Sequence, residues 1–143
     1  MGASLSTWAH GDHTAPDMLK AHLVYKSKGL HIHAQLTAPP VVGHEAFLNL
    51  EIRNAKDHSL INTNDQVDVE LWMPDMGHGS APTHVNRSID SQGKALTGQY
   101  VVSNVYFVMG GLWEIRITLT DPNGQQETQS FTLQMPEGEE GHH

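Results

Sequence analysis

From residue 19 onward, apolar and polar positions alternate in short runs, the period of strands with one buried face. Residues 19–26 form the first run, and Ser27-Lys28-Gly29 turns the chain into the second. There Leu30, Ile32, Ala34 and Leu36 alternate with His31, His33, Gln35 and Thr37, and Pro39-Pro40 stops the pattern. Ala46, Leu48, Leu50 and Ile52 alternate with Glu51 and Arg53, and Val67, Val69, Leu71 and Met73 with Asp68 and Glu70. Pro74 ends that run, because it has no N–H to give to a ladder. Residues 84–90 and 98–107 are two more candidates, and Trp113, Ile115, Ile117 and Leu119 alternate cleanly. The turn Asp121-Pro122-Asn123-Gly124 leads to the last run, 126–134, with Phe131 and Leu133 inward. Turns recur about every ten residues and no stretch has a helical period. The pattern predicts an all-β chain: an immunoglobulin-like antiparallel β-sandwich of about seven to eight strands, with a small closed barrel as the alternative.

Residues 1–18 lack this period and read as an N-terminal arm, residues 19–136 as one domain, and 137–143 as a C-terminal tail. A chain of 143 residues is long enough to bury a core without covalent staples. Its 16 acidic and 8 basic residues give a formal charge of -8 with no block of one sign. That is a solvated acidic surface, and it argues against nucleic acid, which needs a clustered basic patch. No apolar run is long enough to span a bilayer. The opening Met1-Gly2-Ala3-Ser4 has neither a basic nor an apolar segment of a signal peptide.

Composition changes the picture at one point. There are 11 histidines and 6 methionines but no cysteine. Without cysteine there are no disulfides, thiolate zinc sites, iron–sulfur clusters or blue-copper centres. Imidazole and thioether remain as metal ligands.

They are densest in Met73-Pro74-Asp75-Met76-Gly77-His78-Gly79-Ser80-Ala81-Pro82-Thr83-His84. Thioether sulfur is soft and selects copper(I), and imidazole suits copper and zinc alike, so the set points to copper. The competing reading is that Met73 continues the core face and that Met76, His78 and His84 are ordinary loop residues. Strand direction sharpens the choice. If each connection crosses the sandwich from end to end, Met73 and its loop, Met109 with Gly110-Gly111, Met135 and His44 all reach one end, with His10 and His13 of the arm expected there too. The strongest candidates are Met73, Met76, His78 and Met109, followed by His84, Met135 and His44. The pair His31 and His33 shares one strand face toward the other end and reads as polar surface, since no third ligand is evident beside it. His22 and His58 read as ordinary strand or surface residues. No catalytic triad, phosphate loop or HExxH motif is present, so no enzyme activity is expected.

Three segments carry a family resemblance. They are Met73-Pro74-Asp75-Met76-Gly77-His78-Gly79, Gly98-Gln99-Tyr100, and Val105-Tyr106-Phe107-Val108-Met109-Gly110-Gly111-Leu112-Trp113-Glu114-Ile115. Together they resemble the YtkA-like family, which includes FixH-type proteins: a Met-Pro-x-Met-x-His motif, then Gly-x-Tyr, then Gly-x-Trp. The resemblance covers about residues 30–135. It implies an immunoglobulin-like sandwich that handles copper, and matches Met73, Met76, His78 and Met109 to motif positions. It also implies an extracytoplasmic setting, either periplasmic or tethered to a membrane by a segment outside this chain.

The expected function is therefore a copper-binding carrier or assembly factor, with copper(I) favoured and copper(II) the alternative. Its expected partner is a protein acceptor such as a copper oxidase or copper transporter. The alternatives are a metal-free interaction module using the apolar surface around Trp72 and Met76, and a CopC-like copper resistance protein. A dismutase-like enzyme built on His31 and His33 is weaker still, because no bridging-histidine pattern accompanies them.

Overall fold

A computed structural model describes residues 19–136 and contains nine strands and no helix among them. They are β1 (Lys20–Tyr25), β2 (Leu30–Leu36), β3 (Glu45–Asn54), β4 (Gln66–Met73), β5 (His78–Gly79), β6 (His84–Ile89), β7 (Ala95–Tyr106), β8 (Gly111–Thr120) and β9 (Gln126–Met135). Two antiparallel sheets result, one ordered β1-β2-β3-β7-β6 and the other β5-β4-β8-β9. The expected β-sandwich is what forms. The short β5 is the element the hydrophobic pattern did not predict, because a His-Gly pair has no alternation to read.

The long core strands follow their own hydrophobic period. β4 alternates exposed and buried as far as Leu71 and finishes buried at Met73, and β8 alternates from Leu112 onward. The inner faces close on one another around Ile32, Leu48, Ile52, Leu71, Trp113, Ile117 and Leu119. Tyr25 ties the two sheets together: its buried hydroxyl donates to the Ile117 carbonyl oxygen at 2.7 Å. Burial raises the Tyr25 phenol well above its ordinary value, so it stays protonated and donating.

Register then fixes the ends. Trp72 of β4 faces Glu114 of β8, and Gly111 of β8 faces Met135 of β9. In the other sheet Glu45 of β3 faces Tyr106 of β7. The Met73 loop, the 107–110 loop, Met135 and the 39–44 loop thus share one end, here called the upper end. The shared end is the one that strand direction predicts. β2 begins at the opposite end, with Leu30 facing Asn54. The expected arm, with His10 and His13, and the expected tail lie outside the described residues. Among those described, no helix is long and apolar enough to cross a membrane.

Candidate metal centre at the upper end

The chain leaves β4 at Met73 and returns as β5 through a tight loop. The Met73 carbonyl accepts from Met76 N–H at 3.1 Å and from Gly77 N–H at 2.8 Å. The two short strands then pair, with Met73 opposite His78 and Trp72 opposite Gly79. Met73, Met76 and His78 therefore belong to one hairpin, with Met76 at its tip.

Their exposures differ sharply. Met73 is 3 % exposed and Met135 1 %, while Met76 is 54 % and Met109 39 % exposed. His78, His84 and His44 are also exposed. The candidate set thus splits into two layers. Met73 and Met135 are core residues at the upper end, and Met76, Met109 and His78 stand above them in solvent.

Gly111 links the layers. Its φ is +120°, and a Cβ built there would lie 2.9 Å from the Met73 methyl. Met73 packs into the space that a side chain would otherwise fill. Two residues earlier, the Met109 carbonyl accepts from Trp113 Nε1 at 3.0 Å. The Trp113 ring is buried and packs edge-on against Phe107, with centroids 5.5 Å apart. The backbone of the Met109 loop is held from below while its side chain stays accessible.

The two remaining candidates lie on the other sheet. His84 opens β6 opposite Ser103, short of the end of β7. His44 sits in the 39–44 loop, where Gly43 N–H donates to Phe107 O at 2.9 Å. It borders a cleft of about 220 Å³ with Pro39, Pro40 and Phe47. Both share the upper half with the Met73 hairpin, and neither belongs to it. Among the described residues, no three His, Asp or Glu side chains are already gathered as a ligand set for an ion. Methionine sulfur is the donor that distinguishes this end. Trp72, the other residue of interest here, is half-buried with the Arg116 guanidinium 4.9 Å above its ring.

The histidines read as ordinary surface stand together. The four-residue turn Lys26–Gly29 sets His22 of β1 opposite His33 of β2. Ring centroids are 4.5 Å apart for His22–His33, 4.7 Å for His22–His31 and 5.3 Å for His31–His58. The expectation that His31 and His33 lack a third imidazole beside them is corrected by this register. Folding the chain back about the Ser27-Lys28-Gly29 turn would have disclosed it, since that turn alone decides which residue faces His33. Partial burial, reinforced by His33, His31 and His58, holds His22 below the ordinary imidazole value. Burial does the same to His33, with Arg53 adding to it and Glu51 opposing.

Comparison with known families returns one match: the family model described as YtkA-like covers residues 25–118. Those residues hold the Met73 hairpin, the Met109 loop and Trp113. Among curated proteins, none matches this sequence.

Proposed function

This chain belongs to the YtkA-like family, and from that premise we propose that it is an extracytoplasmic copper(I)-binding carrier or assembly factor. Soft donors at the upper end would hold the ion. One observation carries the reading: the fold accounts for some residues of the motif and leaves others unexplained. Met73 and Trp113 are buried core residues. Gly98 is required because a Cβ there would lie 2.8 Å from the carbonyl oxygens of both Ile52 and Ile61. Met76 and His78 have no such duty. Both are exposed, and among the described residues neither side chain makes a hydrogen bond. An exposed thioether two residues from an exposed imidazole, with Met109 on the neighbouring loop, is a soft donor set suited to copper(I).

The chemistry suits transfer. Thioethers bind without losing a proton, so their hold on copper outlasts that of imidazole as pH falls. Donors on loops can leave one at a time, which allows hand-over to an acceptor such as a copper oxidase or copper transporter. A donor set without thiols also cannot be lost to disulfide formation in an oxidising compartment. Met76, His78 and Met109 are the primary ligands in this proposal. Met73 lies directly below as the reserve ligand, and His84, His44 and Met135 are auxiliary. No catalytic role is assigned. A CopC-like role in copper resistance would use the same donors.

The test is an anaerobic competition titration against a copper(I) chelator. The wild type should take up about one copper(I) per chain. Met76→Ala with His78→Ala should weaken that binding by at least about tenfold, which is ~1.4 kcal/mol. Unchanged affinity in the double variant overturns the proposal.

A second reading draws on the exposed apolar side chains at the same end. Val41, Met76, Val108 and Met109 are all exposed, on three loops of the upper end. Exposed apolar side chains gathered at one end suit a protein partner without any metal. Equilibrium dialysis separates the two: failure to retain copper(I) favours the metal-free module.

A further inference from the structure

The outer face of the five-stranded sheet carries imidazoles that the upper-end site does not use. His22, His31 and His33 come from two adjacent strands, and His58 from the connection after β3. His22 Nε2 and His31 Nδ1 lie 2.9 Å apart. Two nitrogens bound at right angles to one ion, each ~2.0 Å from it, are themselves ~2.9 Å apart. His22 also lies against His33, whose Nε2 is buried and has no hydrogen-bond partner among the described residues. A buried imidazole nitrogen without a partner is a cost the fold would otherwise avoid.

We propose that His22, His31 and His33 form a separate nitrogen-only site for a borderline divalent cation, with copper(II) bound ahead of zinc(II). Imidazole binds both ions, and the affinity order of divalent metals favours copper(II). The rings now tilt against one another, and no three donors yet surround one point. Side-chain rotation closes the site without moving the strands. Whichever imidazole now donates in the His22–His31 hydrogen bond shifts its proton to its other ring nitrogen and presents a lone pair. No net proton need be lost.

The surrounding charges permit a cation. Arg53 pairs with His31 across the β2–β3 ladder, but Glu51 Oε1 accepts from its Nε at 3.1 Å and from its Nη2 at 2.9 Å. Its Nη1 donates to the His58 carbonyl at 2.7 Å. The guanidinium is thereby compensated and held toward His58. Glu51 faces His33 across the β2–β3 ladder and borders the same cleft of about 410 Å³, which places a carboxylate within reach of a fourth position. Among the described residues, Lys20 also lines that cleft. The site is independent of the upper-end proposal, since it uses different residues, a different face and nitrogen rather than sulfur donors.

The test uses the full chain, with copper(II) as the probe. Substoichiometric copper(II) should broaden amide NMR signals of β1 and β2 around residues 22, 31 and 33 first. The electron paramagnetic resonance spectrum should show coupling to several nitrogens. His31→Gln with His33→Gln should weaken copper(II) binding by more than about 100-fold, while His44→Gln with His84→Gln leaves it unchanged. If the first variant disturbs folding, the wild-type broadening map alone decides. Broadening centred elsewhere in the chain, or equal affinity in a folded His31/His33 variant, overturns the site. Copper(I) competition with the Met76/His78 variant reads the upper-end proposal separately, so either can fail without the other.

Discussion

Gly111→Ala tests how the fold supports the upper end. At this position φ is +120°, a region L-residues rarely enter, and the new Cβ would stand 2.9 Å from the Met73 methyl. Holding alanine in that conformation costs about 1–3 kcal/mol. The contact adds less than about 1 kcal/mol, because the atom in the way is the free end of a flexible thioether that can change rotamer. The sum is about 1–4 kcal/mol. For a domain of this size it should lower the melting temperature by roughly 3–20 °C. Urea unfolding followed by tryptophan fluorescence reads the loss, since Trp113 is fully buried beside the substitution. A double-mutant cycle with Met73→Ala separates the two causes: only the contact part should disappear in the alanine background, leaving a coupling below about 1 kcal/mol. A Gly111→Ala loss under about 0.5 kcal/mol would refute the backbone reasoning. A loss that vanishes entirely with Met73→Ala would refute the assignment of most of it to φ.

Other perturbations have equally definite outcomes. Lys28 Nζ lies 3.1 Å from Asp65 Oδ2 and 3.6 Å from Asp121 Oδ2, with the Lys28 and Asp65 side chains only 9 % and 11 % exposed. Lys28→Met leaves Asp65 nearly buried without its counter-charge and should cost ~3 kcal/mol in urea unfolding. Tyr25→Phe removes the 2.7 Å bond to Ile117 O between the sheets and should cost ~1 kcal/mol, read by calorimetry. The imidazoles of His22 and His33 are held below their ordinary value, facing His31, His58, Arg53 and Glu51. The unfolded chain therefore binds more protons than the folded one below about pH 6.5, so stability is full above that value and falls as pH drops through it. With a chelator present, melting temperature should decline from about pH 7.5 to about pH 5. His22→Gln with His33→Gln should flatten the decline, and an unchanged slope would refute the assignment.

Most of the fold is legible because the long core strands β1 to β4 and β8 obey a period of two. β4 reads Val67, Val69, Leu71, Met73 in the sequence and buries those four in the structure. Strand direction was legible too, which is why Met73, Met109, Met135 and His44 could be assigned to one end before any register was known. Depth was not. Alternation puts Met73 and Met135 on core parity but says nothing about Met76 and Met109, which sit in loops without a period. Only packing reveals that the first pair is buried and the second exposed. The pairing His22–His33 is not legible in the pattern for a different reason. Alternation describes each strand as an isolated face, whereas neighbours on a sheet are set by register across the turn.

The location of donors within the sandwich separates two metal chemistries. Met76, His78 and Met109 sit at or beside loops, where a thioether with three rotatable bonds can follow an ion and release it. A soft ion on such ligands is loosely confined, which suits a carrier. His22, His31 and His33 instead stand on paired strands, where the pleat and the register hold their Cα positions at fixed spacing. Imidazoles on strands already fixed by the sheet need only side-chain rotation to bind, so no backbone freedom is lost, which favours retention over transfer. The proposals therefore differ in exchange as well as in softness. Copper(I) at the upper end should exchange with a competing chelator faster than copper(II) leaves the histidine face. Stopped-flow displacement from each site reads both rates, and faster loss from the histidine face would contradict the link drawn between element type and exchange.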